Sequence, residues 1–220
     1  IDRVWVNVST FNALLNVPDA KSAFHTGERW GPLDAQRFDL VAFNAPFVPL
    51  PHGETTTVYR DGGPDGLDVL GPLLDGLAGH LSDDGSAVTH AEGFGDESQP
   101  FIAARLAAMA RKDGLAIDLL LLYRFRLTPF LREASRIRDL PESAYRRLAA
   151  EVGAKRYHRF VIRFRRGRPG LRPIDAVRYP PAEPPDPIRP PPGVLAAAGV
   201  RLPALRRDRP PATEGNRCLR

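Results

Sequence analysis

The chain has 220 residues, 43% of them hydrophobic, with 31 Lys and Arg against 26 Asp and Glu. That hydrophobic share is enough to fill a core, so a wholly disordered chain is excluded, and the length fits one ordinary domain with an appendage. The net charge of +5 is local: residues 1–166 balance 21 basic against 21 acidic side chains, whereas 167–220 hold ten Arg, five acids and 13 of the 23 prolines.

The basic excess therefore belongs to a tail, and the overall charge is no argument for nucleic-acid binding by the body. A single cysteine, Cys218, excludes an internal disulfide framework and a Cys-based metal site, and it fits a reducing compartment, cytoplasmic by default. The longest apolar run, within 115–125, is interrupted by Asp118 and is too short to span a bilayer. The chain opens at Ile1 directly into Val4-Trp5-Val6, without the basic and apolar regions of a signal peptide, and is expected to be incomplete at its N-terminus.

In chain order, Phe11, Leu14 and Leu15 recur at helical spacing and predict a helix over 8–16, ended by Pro18. Arg37 to Phe43 is a short apolar run stopped by Asn44-Ala45-Pro46, as suits a buried parallel strand. The stretch Asp61-Gly62-Gly63-Pro64-Asp65-Gly66 is turn chemistry, with Asp65 a candidate N-cap for a helix bearing Leu67, Leu70, Leu73, Leu74, Leu77 and Leu81 on one face. A turn at Asp83-Asp84-Gly85 leads into a strand over 86–91. A second amphipathic helix covers 98–112, closed by Asp113-Gly114, and a leucine-rich strand covers 116–125. Residues 127–153 read as a helical insertion broken at Pro129 and Pro141, and 157–164 as a last strand with one wet face.

Strands and helices alternating at this spacing predict an α/β fold with a parallel sheet covered on both faces. The domain is expected over 1–166, followed by a Pro/Arg-rich disordered tail over 167–220.

The chemically informative segment is Phe38 to Pro49. A buried strand ends there and delivers Asn44, a constrained backbone and the Phe47 ring to the carboxyl edge of the sheet, where open α/β folds bind ligands. The Asn44 carbonyl and the backbone carbonyl beside it are two acceptors next to an aromatic plane. Together they can grip both N–H bonds of a flat amine while its lone pair points outward.

Asn44-Ala45-Pro46-Phe47 resembles the Asn-Pro-Pro-Tyr/Phe motif of class I S-adenosylmethionine-dependent N-methyltransferases. Gly27-Glu28-Arg29-Trp30-Gly31-Pro32-Leu33 is similar to that family's Gly-Asp-Leu-Phe-x-Pro segment. Gly62-Gly63-Pro64-Asp65-Gly66-Leu67 is similar to its Gly-Gly-x-Asp-Gly-Leu turn, and Phe11 to Asn16 to the helix after its second strand. The set spans about residues 8–125 and is most similar to the small-domain, HemK-like release-factor glutamine methyltransferases.

The resemblance implies a Rossmann-like methyltransferase sheet with an antiparallel last strand, S-adenosylmethionine as cofactor, and methyl transfer to a planar amine or amide nitrogen. The acceptor classes are a protein glutamine, a nucleobase amine or a small-molecule amine. Asn44 and the carbonyl of Ala45 would hold the nitrogen, with Pro46 fixing the backbone and Phe47 stacking on the substrate plane. Glu28 and the Arg29 backbone fall where the family binds the adenine, and Asp2 where it holds the ribose hydroxyls.

Two departures stand out. Ala45 replaces the motif's first proline, keeping the carbonyl but losing its fixed φ. Nothing before residue 8 supplies the glycine-rich cofactor turn, and Gly93-Phe94-Gly95 follows the wrong strand, so the sheet is expected to lack its first strand and glycine loop. These departures sustain an alternative, a degenerate, catalytically inactive methyltransferase-like binding or scaffolding module.

Trp30 is expected to pack rather than bind. The five histidines show no metal-ligand spacing, and no metal is expected. His52 and Tyr59 fit either an ordinary loop or the mouth of a substrate site. The Arg pairs 146–147, 165–166 and 206–207 read as solvated charge, with nucleic-acid contact the minority reading.

Overall fold

The computed structural model describes residues 3–17, 19, 21–51 and 61–177. Asp2, His52, Tyr59 and residues 178–220 lie outside the described residues, and so do the expectations that fall on them.

Among the described residues, five strands form one sheet in the order β1-β2-β4-β3-β5: β1 (Phe38–Phe43), β2 (Leu81–Gly95), β3 (Leu115–Arg126), β4 (Arg156–Arg166) and β5 (Gly170–Asp175). β1 pairs with β2 and β3 with β5 in parallel, while β4 runs antiparallel between β2 and β3, so four strands share one direction. This is the mixed, mostly parallel α/β sheet of a Rossmann-like methyltransferase fold, with the antiparallel strand held inside it.

Alternation along the strands sorts the faces. Val41 and Phe43 of β1, Ala87 and Ala91 of β2, Ile117 and Leu119 of β3, and Phe160, Ile162 and Phe164 of β4 enter one core. Helices α2 (Leu70–Leu77) and α3 (Ile102–Asp113) cover it with Leu70, Leu74, Leu77, Leu106 and Ala110. Helices α4 (Leu127–Arg138) and α5 (Glu142–Glu151) build a second cluster, in which Leu131, Tyr145 and Leu148 meet Phe94 and Tyr157. Phe94 is out of phase with Ala87 and Ala91, so this cluster lies on the opposite face. The N-terminal helix α1 (Arg3–Asn16) starts earlier than expected and buries none of its residues.

Several expectations are corrected. The leucine helix is shorter than its pattern: Asp65 Oδ1 accepts from the Leu67 N–H, so it caps a turn, α2 begins at Leu70, and Leu81 already belongs to β2. The turn expected at 83–85 is an irregularity inside β2, because the register passes from Phe38↔Leu81 to Leu40↔Ser86. Gly85 permits the fold-back, since a Cβ there would lie 2.6 Å from the Phe38 carbonyl oxygen. Pro129 breaks nothing, for it sits in the first turn of α4, where a missing N–H has no intrahelical partner to lose; Pro141 is the N-cap of α5.

The proline-rich stretch taken as tail from residue 167 contributes β5. Pro173 is tolerated because β5 is an edge strand, and Arg172 anchors it to the Asp118 carboxylate at 2.8 Å. Gly114 closes α3 as expected, with φ +68 and its N–H donated to the Ala110 carbonyl.

His158 is fully buried in β4 beneath the loop that joins β2 to α3. Its Nε2 donates to the Asp96 carbonyl at 3.0 Å, which leaves the buried Nδ1 without a hydrogen-bond partner. Burial holds its pKa below the ordinary 6.5, against the smaller opposing effect of the Asp96 carbonyl. The unfolded ring takes its proton near 6.5 and the folded ring only at lower pH, so stability is full above that value and falls as the solution is acidified through it. Urea unfolding between pH 7 and 5 should show this slope, and His158→Gln, which can still donate to Asp96, should flatten it while leaving the contribution of His90.

Candidate functional site

The site begins where β1 ends. Val41 and Phe43 point into the core, so Ala42 and Asn44 project from the opposite face. Asn44 is exposed, whereas Ala45 is 6% exposed and belongs to the core cluster. A buried alanine here holds the turn in place by packing, where a proline would do so by its ring.

The segment that follows is clasped by the glycine turn. The Gly62 N–H donates to the Val48 carbonyl at 3.1 Å, and the Leu50 N–H to the Gly63 carbonyl at 3.0 Å. Two glycines let the strands of this clasp touch. A Cβ at Gly62 would lie 2.8 Å from the Phe47 carbonyl carbon, and one at Gly66 would lie 2.4 Å from the Phe47 carbonyl oxygen. Gly66 also has φ +80, in the left-handed region that glycine occupies without strain. The Asp61 carboxylate tightens the same turn by accepting the Gly63 N–H at 2.9 Å.

The β1–β2 register then supplies the neighbours. Phe43 pairs with Thr89, which sets Asn44 beside His90, one step beyond the last pair. Ala42, Phe43, Asn44, Val88, Thr89, His90 and Val161 line an open hollow of about 350 Å³. Phe47 meets His90 edge to face, with ring centroids 5.2 Å apart and planes at 80°. Desolvation keeps the His90 pKa below its ordinary value; Glu92 works against that and Arg159 reinforces it. Glu92 and Arg159 are paired at 2.5 Å, with the Arg159 guanidinium 5.6 Å from the ring centres of both Tyr123 and Phe125.

Glu28 and Arg29 lie on an exposed bend before a 3-10 turn at Gly31–Leu33. The Glu28 carbonyl accepts from the Gly31 N–H at 3.1 Å, and Arg29 has φ +52. Trp30 anchors this bend as a packing residue: its Nε1 donates to the Leu73 carbonyl at 2.9 Å, and its ring stacks on His80 at 4.3 Å. The Asn44–Phe47 segment and the Glu28–Arg29 bend are thus held by different elements, the glycine turn for the first and α2 for the second.

A second cavity, about 140 Å³, lies between the Asp65–Leu70 stretch, the end of β2 and the start of α3, lined in part by Phe94, Phe101 and Arg105. None of the described predicted site residues lines it. Among the described residues, no group of three or more His, Cys, Asp or Glu could hold a metal ion, and no helix is long and apolar enough to cross a membrane. His90 is the residue that sequence reasoning passes over. It follows an ordinary apolar alternation in β2, and only the register with β1 reveals its neighbours.

No protein-family model matches the chain. A stretch of 79 residues is 33% identical to a ribosomal protein uL3 glutamine methyltransferase of Bradyrhizobium diazoefficiens, over 32% of this chain and 24% of that protein. The chain thus matches about a quarter of the length of this curated relative. Sheet and likeness together support a methyltransferase.

Proposed function

We propose that the chain carries the acceptor half of an S-adenosylmethionine-dependent N-methyltransferase, acting on a planar amide or amine nitrogen, with a protein glutamine as the first candidate. The observation that carries this reading is the placement of Asn44, exposed at the carboxyl end of β1 on the rim of a hollow, with the Phe47 ring against His90 beside it. The relative methylates a glutamine by its name, and a glutamine side chain ends in a flat carboxamide.

The lining suits that group. The Asn44 amide oxygen and the Ala45 backbone carbonyl accept the two N–H bonds, and Phe47 covers the carboxamide plane. Ala42, Val88 and Val161 give an apolar wall on which a methyl group can rest. S-adenosylmethionine supplies one electrophilic methyl; Asn44 and Phe47 are the residues here that would stand beside it. The rest is positioning. Holding the nitrogen in line with the methyl can supply on the order of 7–11 kcal/mol of barrier reduction. A ring near a cationic centre adds only about 0.5–2 kcal/mol. Glu28 and the Arg29 backbone remain proposed adenine contacts, and Asp2 a proposed ribose contact. Cytoplasmic residence and the Pro/Arg character of the tail are part of the same reading.

A second reading is a methyltransferase-like module that binds its partner without transferring methyl. Ala45, in place of the motif's proline, favours it.

Two experiments test the first reading. Isothermal titration with a glutamine-containing peptide and with S-adenosylhomocysteine, alongside a methyl-transfer assay, should show Asn44→Ala weakening peptide binding or transfer by tenfold or more, equivalent to about 1.4 kcal/mol. Unchanged binding and transfer in that variant would overturn the reading and leave the binding module. Gly66→Ala should destabilise the chain by about 1–3 kcal/mol in urea unfolding. It should also weaken peptide binding at temperatures where the variant remains folded, because the added methyl pushes on the Phe47 carbonyl.

A further inference from the structure

Transfer of a methyl to a nitrogen that carries hydrogen leaves one proton to be removed. The groups that grip the nitrogen in the proposed function are carbonyl oxygens, which accept hydrogen bonds but are not bases near neutral pH. Among the described residues lining the hollow, His90 is the one titratable side chain. The Phe43↔Thr89 pairing sets it beside Asn44, and its ring touches Phe47 at 5.2 Å.

We propose that His90 is the proton acceptor of this site. The inference rests on the acceptor-site reading above. In the step, the nitrogen lone pair forms the N–C bond to the sulfonium methyl of S-adenosylmethionine. The C–S bond breaks with its electron pair staying on sulfur, and the N–H proton that faces Asn44, shared between its amide oxygen and the neighbouring imidazole, passes to an unprotonated nitrogen of His90. The imidazolium then returns the proton to water.

The surroundings keep the ring neutral and ready. Partial burial disfavours the imidazolium. Among the described residues, the charges that act on the ring are Glu92, two residues along β2, and Arg159 of β4; they are paired with each other and act in opposite senses. Arg163, exposed, lies two residues beyond Val161 on β4 and adds positive charge on that side. β1 brings Ala42, Phe43 and Asn44 to the hollow, none of them charged. A general base placed within reach of the reacting proton contributes on the order of 10²–10⁴-fold.

The test uses the chain itself, with propanamide as a probe for the glutamine carboxamide, and follows His90 Cε1–H, the Asn44 side-chain amide and the Phe47 ring by NMR as pH is varied. His90→Gln assigns the histidine signal. A neutral imidazole accepts an amide N–H and an imidazolium does not, so propanamide should lower the His90 titration midpoint. By linkage its affinity should fall as the solution is acidified through that midpoint, about tenfold for each pH unit of the shift. In His90→Gln the affinity should be flat with pH. In Asn44→Ala the probe should no longer bind, while the free His90 midpoint stays below the ordinary histidine value.

If propanamide perturbs Asn44 and Phe47 but leaves the His90 midpoint unmoved, the proton-acceptor role is wrong and the acceptor site stands. If it perturbs none of the three, the acceptor site itself is wrong and the role falls with it. Should His90→Gln fail to fold, the wild-type midpoint with and without probe still decides between these outcomes.

Discussion

The hydrogen-bond ladder that β4 makes on both of its edges holds the molecule together. β2 and β3 do not pair with each other; each pairs with β4, from Ser86↔Arg165 to Gly95↔Arg156 on one side and from Leu115↔Arg166 to Arg126↔Arg156 on the other. Phe160, Ile162 and Phe164 of this strand are at most 1% exposed and sit at the centre of the main core. Tyr157 serves the second core on the opposite face. One strand thus joins two hydrophobic clusters, and it is made late, after both partners and the helices α3 to α5. Such non-local pairing slows folding, because a long loop must be ordered before the contacts that reward it can form. β1 and the hollow at its end rest on β2, and through it on β4.

Within that frame the candidate site is made by two local devices of different kinds. The first is register: Phe43 opposite Thr89 brings a residue of one strand beside a residue more than forty positions later, and a slip of one would turn His90 to the other face. The second is the absence of side chains at Gly62 and Gly66, which lets a turn close against the Phe47 backbone. Ala45, buried among core residues, completes the positioning from below. The motif departs from the family pattern at that position, and packing there takes over part of what the proline ring supplies.

Much of the fold could be read from the chain. α3 and β3 have clean apolar patterns bounded by turn residues, and Gly114 ends α3 where its left-handed conformation is needed. β1 lies where its apolar run places it, but it is not the buried strand expected: none of its residues is buried, and Leu40 is 67% exposed. The misreadings share a cause: residues that punctuate structure in isolation are permitted by their place in the whole. Pro173 looks like a breaker and is an edge-strand residue, and Pro129 occupies a helical first turn. Leu81 continues the helical spacing of Leu70, Leu74 and Leu77, but strand pairing with Phe38 claims it. For the site, Asn44 to Phe47 is legible as a motif, since its chemistry lies in consecutive residues. His90 is not, because its significance comes from a strand neighbour, and strand order does not appear in linear spacing.

The proline in β5 has a consequence for how the molecule meets copies of itself. An outermost strand offers a row of free amide and carbonyl groups onto which another chain can zip, and proteins blunt such borders with proline and charge. Pro173 withholds one donor from that row, and Arg172, fastened to Asp118, keeps a charged side chain at the border. The residues that make this segment look like tail in one dimension make it a safe terminus for a sheet in three, discouraging cross-strand aggregation on that side.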